Sequence, residues 1–176
     1  MRLFDGGKAP NPRRVRVFLA EKGIEVPLVP VDMGAMGHRA PEVADRNPLR
    51  RLPVLELDDG AVITETVAIC RYFEETNPEP PLFGTGALGR ARVEEWQRRM
   101  ELNLMMPVAH AFRHIHPAMK EWEVPQIAEW GEANKSKALD FLALLDRELA
   151  EREFAAGDAY SIADITGLIA IDFMKP

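Results

Sequence analysis

The sequence predicts a two-part chain, an α/β half followed by an all-helical half. Three observations predict it. Short strand-like runs alternate with helical patterning over residues 1–76. A run dense in proline and glycine, TNPEPPLFGTG, follows at 76–86. Beyond it, apolar residues recur at helical spacing only. The expected division is residues 1–76, a linker at 77–86, and a helical domain at 87–176.

Residues 2–4 read as a short buried strand, and the breaker-rich loop DGGKAPNP follows at 5–12. Pro12 suits the first turn of a helix with Asn11 as N-cap. That helix runs to about Lys22, where Gly23 ends it, and Val15, Phe18 and Leu19 form its apolar stripe. A second strand at 26–31 contains Pro27 and Pro30, so an edge position is expected. Residues 32–45 are irregular, with one helical turn from Pro41. A hairpin turns on Asp58-Asp59-Gly60, between strands at 54–57 and 61–63. Thr64 is placed to cap a helix starting at Glu65. The order β-α-β, then β-β-α, is that of a thioredoxin-like half with a mixed sheet. In the second half a long helix at 87–118 is expected to kink at Pro107. A second covers 124–150 with Leu139, Leu142, Leu145 and Leu149 on one stripe, and a last one starts at Ser161. Ser161 and Asp164 form the spacing of a capping box, with Tyr160 and Ile165 where a hydrophobic staple sits.

The chain has 176 residues, 47% hydrophobic and 28% charged, with a net charge of −6. That is enough for one core or for two small ones sharing an interface, and the acidic balance argues against nucleic acid or an anionic membrane as partner. Cys70 is the single cysteine, so no intrachain disulfide forms and a reducing, cytoplasmic setting is expected. Residues 1–30 show no basic region followed by an apolar run, so no signal peptide is expected, and no apolar run reaches membrane-spanning length.

Residues 47–66, NPLRRLPVLELDDGAVITET, concentrate the chemistry. Asn47-Pro48 starts a turn. The Leu52-Pro53 bond is placed where a cis peptide would turn the Leu52 amide and carbonyl outward, to pair with an extended peptide. The helix start at the far end offers unpaired N–H groups to a carboxylate, and the Glu65 carboxylate accepts from an ammonium. Together these describe a clamp for a small peptide carrying both charges.

The pattern Asn47-Pro48, Leu52-Pro53-x-Leu55, Asp-Gly, and Ile63-Thr64-Glu65-Thr66-x-Ala68-Ile69 resembles the glutathione-binding half of cytosolic glutathione transferases of bacterial type. The run AGDAYSIAD at 156–164 resembles the start of that family's buried helix in the second half. The resemblance covers essentially the whole chain. It implies glutathione as co-substrate, with Leu52 and Pro53 meeting its cysteinyl part and Glu65 and Thr66 its γ-glutamyl end. His38, Arg50 and Arg51 become candidates for the glycine carboxylate. The family usually has Ser where Thr66 stands and often Gly near Arg50. It also has a Ser, Tyr or Cys beside the glutathione sulfur, a position that falls on Ala9 here, and no such residue occurs in 1–30. Asn11 is then the candidate donor to sulfur; it also suits a purely structural N-cap.

Met105, Met106, His110 and Phe112 are candidates for an apolar second-substrate pocket, since methionines adapt to varied shapes. His110 and His114 stand i, i+4, but no third ligand has supporting spacing and HExxH is absent, so no metal is expected. Cys70 sits among apolar residues and reads as a buried thiol. The implied activity is conjugation of the glutathione thiolate to an apolar electrophile by a homodimer. The alternative is a glutathione-binding protein with little transferase activity, acting in peroxide or disulfide reduction or as an interaction module. Relatives continue for at least one more helix, so the helical domain is expected to be incomplete or its pocket unusually open.

Overall fold

In the computed structural model, which describes residues 1–174, the chain divides into two units, Met1–Pro81 and Leu82–Pro176. The first carries a four-stranded sheet in the order β2-β1-β3-β4. Its strands are β1 (Arg2–Asp5), β2 (Leu28–Pro30), β3 (Val54–Glu56) and β4 (Val62–Thr64). β1 pairs parallel with β2 and antiparallel with β3, and β3 pairs antiparallel with β4. The sheet is mixed, with proline-bounded β2 at an edge where its missing N–H groups do least harm. Phe4 and Val54, opposite each other in register, pack with Val43 and Leu52. Leu3 and Leu55 alternate to the other face and are fully buried.

Helix α1 (Pro10–Glu21) buries Val15, Phe18 and Leu19 and packs against α3 (Thr66–Thr76). It starts two residues earlier than Asn11 as N-cap requires: Ala9 is the N-cap, and Pro10, with its fixed φ, takes the first helical position. A 3-10 turn at Gly37–Arg39 and the single turn α2 (Pro41–Ala44) fill the irregular stretch. Thr64 does not cap α3. It stays in the ladder opposite Val54, and Glu65 makes the turn with φ +67. The hairpin closes through Leu57 N–H to Ala61 O at 2.8 Å, with Gly60 at φ +86. After α3, Lys22 Nζ donates to the carbonyls of Asn77 and Pro80, both at 2.7 Å, and pairs with Glu74.

The second unit is helical: α4 (Gly86–Met100), α5 (Met106–Ile115), α6 (Ala128–Leu149) and α7 (Ile162–Phe173). The expected single helix at 87–118 is interrupted by a π segment, Glu101–Met105, where Met106 N–H bonds to Glu101 O. Pro107 has no N–H and its ring crowds the preceding turn, so the wider turn absorbs it before the proline. α6 starts at Ala128, not 124, and its buried stripe is Gly131, Asn134, Ala138, Phe141 and Leu145. Of the expected leucine stripe only Leu145 is buried; Leu139 and Leu149 are exposed. The close contact at Gly131, whose Cβ would lie 2.6 Å from Ile115 Cγ1, sets which face of α6 meets α5. Thr166 on α7 donates to buried Gln97 on α4 at 2.7 Å. No helix among the described residues is long and apolar enough to cross a membrane.

Candidate functional site

Residues 47–66 form one framework. Asn47 is only 2% exposed: its Oδ1 accepts from Leu49 N–H at 3.0 Å and its Nδ2 donates to Arg51 O at 2.9 Å. One buried amide thereby fixes the turn before the strand, a role its place in a turn dipeptide did not reveal. Arg50 adopts a left-handed φ of +52. Arg50 and Arg51 are both exposed. The Leu52–Pro53 peptide bond is cis, and β3 begins at Val54, one residue beyond Pro53. The Leu52 side chain is buried in the cluster with Phe4, Val43 and Val54.

Glu65 forms the N-cap of α3 without a side-chain cap bond, and its carboxylate is exposed. Thr66, the first helical residue, is buried at 4% exposure. A carboxylate thus stands free beside unfilled N–H groups at a helix start, where the backbone favours negative charge.

His38 is buried at 7% exposure on its 3-10 turn. Burial, and then the Arg39 charge, hold its imidazole below the ordinary histidine value. It is therefore a neutral hydrogen-bonding group near pH 7.

Asn11 lies inside the first turn of α1, exposed, and caps nothing. Pro10 and Pro12 carry no N–H, and Arg13 N–H bonds to Ala9 O at 3.2 Å. The first-turn donors left at this helix end are the main-chain N–H and side-chain amide of Asn11, and Ala9 offers no hydroxyl. The loop before it carries a pair that sequence reasoning missed: Arg16 Nη1 bonds to both carboxylate oxygens of Asp5, 2.6 Å to Oδ2. Asp5 followed by Gly-Gly, with an arginine a few residues into the next helix, is the signal that was available. Cys70 is fully buried on α3, and burial pushes its thiol up to about 12, so it is no nucleophile near pH 7.

In the helical unit, a groove of about 620 Å³ runs between the α4–α5 segment and α6. Met106 and His110 line it with Leu102, Trp130, Asn134 and Phe141. Met105 and Phe112 do not. Met105 is buried, and Phe112 packs on His116 and Phe173, with ring centroids 4.8 and 5.0 Å away. The four expected pocket residues thus divide between different faces. His114 is committed to structure: its Nδ1 accepts from Ile127 N–H at 3.1 Å, just before α6. Ser161 and Asp164 form the expected capping box. Asp164, half-buried, accepts from Ser161 N–H at 2.9 Å and from Ala155 N–H at 2.7 Å.

A profile of the glutathione S-transferase N-terminal domain matches residues 9–76. Glutathione S-transferase 2 of Saccharomyces cerevisiae is 37% identical over 176 residues, a match covering 98% of this chain and 76% of that protein. Among solved structures, a glutathione S-transferase domain-containing protein of Marinobacter aquaeolei is similar, with TM-score 0.94 and 38% identity over 98% of this chain and 86% of that one. A class Gtt2 glutathione S-transferase of Vibrio parahaemolyticus has TM-score 0.86 and 38% identity, covering 98% of this chain and 81% of its own. With the mixed sheet, the cis Leu52–Pro53 bond and a near full-length match to such relatives, the chain belongs to the glutathione S-transferase family.

Proposed function

We propose that the protein is a glutathione transferase that binds the tripeptide on its first unit and joins its thiolate to an apolar electrophile. The observation that carries this reading is the 47–66 framework, with Leu52 at the cis bond and Glu65 and Thr66 at the start of α3. Leu52 and Pro53 would meet the cysteinyl part, and Glu65 and Thr66 the γ-glutamyl ammonium and carboxylate. His38, Arg50 and Arg51 are the candidates for the glycine carboxylate. Asn11 is the donor to sulfur through its side-chain amide, and main-chain N–H at the start of α1 adds to it. Donation favours thiolate over thiol, and two units of pKa correspond to about 2.7 kcal/mol. A helix N-terminus supplies about 0.3–1 kcal/mol of that, so Asn11 and the surrounding donors must supply the rest.

In the reaction the thiol proton leaves to solvent, the thiolate attacks an electrophilic carbon, a C–S bond forms, and the leaving group departs with its electron pair. Positioning and charge stabilisation at sulfur supply the rate. The helical unit presents Met106 and His110 in its groove as candidates for contact with an apolar substrate. We further propose a homodimer in a reducing cytosol, consistent with a buried free Cys70. Sedimentation at a monomer mass would contradict the dimer.

The test is a pair of assays, conjugation of glutathione to an activated aryl halide and glutathione-dependent reduction of a hydroperoxide. Conjugation that falls with Glu65→Ala and Asn11→Ala supports the reading. Hydroperoxide reduction without conjugation would replace it with the reductive alternative.

A further inference from the structure

We infer that the Asp5–Arg16 ion pair is a positioning device for the glutathione sulfur, an inference that rests on the glutathione reading above. Residues 5–9 join β1 to α1 and contain two adjacent glycines, one of them, Gly7, at φ +62. Such a stretch has little conformational preference of its own. A single guanidinium fixes it. Arg16 Nη1 bonds to both oxygens of Asp5, and its Nη2 donates to Gly7 O at 2.8 Å. Gly7 N–H in turn donates to Asp5 Oδ2 at 3.1 Å. Asp5 is itself anchored, 6% exposed at the end of β1, with its carbonyl accepting from Val31 N–H at 2.8 Å.

The planar fork therefore spans a carboxylate and a carbonyl two residues apart, a geometry an ammonium does not reproduce. Gly6, held between these points, lies against Leu52: a Cβ there would be 3.3 Å from Leu52 Cδ1 and 3.2 Å from Met33 Cγ. The pair thus sets how the loop seats on the side chain of Leu52, the residue that is the candidate for the cysteinyl part, and how it enters the first turn of α1, where Asn11 holds the remaining donors. Neither Asp5 nor Arg16 needs to touch glutathione. The fork fixes the distance from sulfur to donor, in a loop that lacks the usual hydroxyl.

The test compares wild type, Asp5→Asn, Arg16→Gln and Arg16→Lys by calorimetric titration with glutathione and by the ultraviolet absorbance of bound thiolate across pH. Wild type binds and ionises the thiol. Asp5→Asn and Arg16→Gln keep the affinity within about threefold, since the Leu52, Glu65 and Thr66 contacts remain, but raise the bound thiol's apparent pKa by about one unit, tenfold less thiolate below it. Arg16→Lys, which keeps the charge and most of the stem, behaves like Arg16→Gln; if Asp5→Asn fails to fold, this variant decides. Variants that melt earlier yet ionise the thiol as wild type does would overturn the inference and leave a purely structural pair. Loss of binding in all three would overturn it in favour of a direct binding role. A wild type that does not bind glutathione would remove the glutathione reading itself, and this inference with it.

Discussion

Arg50 stands in a left-handed conformation that a side chain disfavours, held by the Asn47 amide on either side of it. Replacing it with glycine removes that strain but adds freedom to the unfolded chain. Arg50→Gly is expected to raise stability by about 0.5–1 kcal/mol, read as a higher denaturation midpoint with an unchanged slope. If Arg50 also meets the glycine carboxylate, the same variant weakens glutathione binding, so stability and affinity move in opposite directions. Cys70 gives a second residue-level expectation. With its thiol pushed up to about 12 and no exposed surface, about one molecule in ten thousand is a thiolate at pH 8. A disulfide reagent should label it at the rate of unfolding; rapid labelling of the native protein would show an accessible, activated thiol.

Among the elements, α5 and α6 approach closely at Gly131. Gly131→Ala drives a methyl into Ile115 and should destabilise the protein by about 1–3 kcal/mol in chemical denaturation, despite alanine's better helix propensity. On the sheet, Glu56 accepts hydrogen bonds from Arg46 and Arg2, whose guanidinium groups lie over Phe4. The Arg46 bond, more than any other cause, holds the Glu56 carboxyl below its usual range. The unfolded chain then takes up this proton before the folded one. Stability from the pair is complete above the usual glutamate range and is lost as pH falls through it toward the lowered folded value. Glu56→Gln should flatten that part of the stability–pH curve; an unchanged curve would show that the pair contributes nothing in solution.

At the scale of the whole molecule, the mixed sheet and helical second half were legible because breakers and apolar spacing mark them locally. The capping box at Ser161–Asp164 and the Asp59-Gly60 turn were legible for the same reason, being set by neighbours in sequence. What escaped depends on partners distant in sequence or on competing local choices. Pro10 captured the first helical position ahead of Asn11, and ladder pairing kept Thr64 from capping α3. The buried stripe of α6 was set by its contact with α5 rather than by its leucines. Met105 and Phe112 looked equivalent to Met106 and His110 until the π segment and α5 fixed which residues face the groove. The Asp5–Arg16 pair left one signal, Asp-Gly-Gly ahead of a helix that carries an arginine, and the return of α1 past β1 brings the two side chains together.

The first unit is proposed to hold glutathione as thiolate without a Ser, Tyr or Cys in its first loop. The most direct measurement is calorimetric titration with glutathione, with bound thiolate followed by its ultraviolet absorbance, on wild type and on Asn11→Ala. Both are expected to bind, and wild type to ionise the thiol, while Asn11→Ala, which keeps only the main-chain donor, does so with an apparent pKa raised by about one unit or more. Binding with no thiolate in wild type, or no binding at millimolar glutathione, would contradict it.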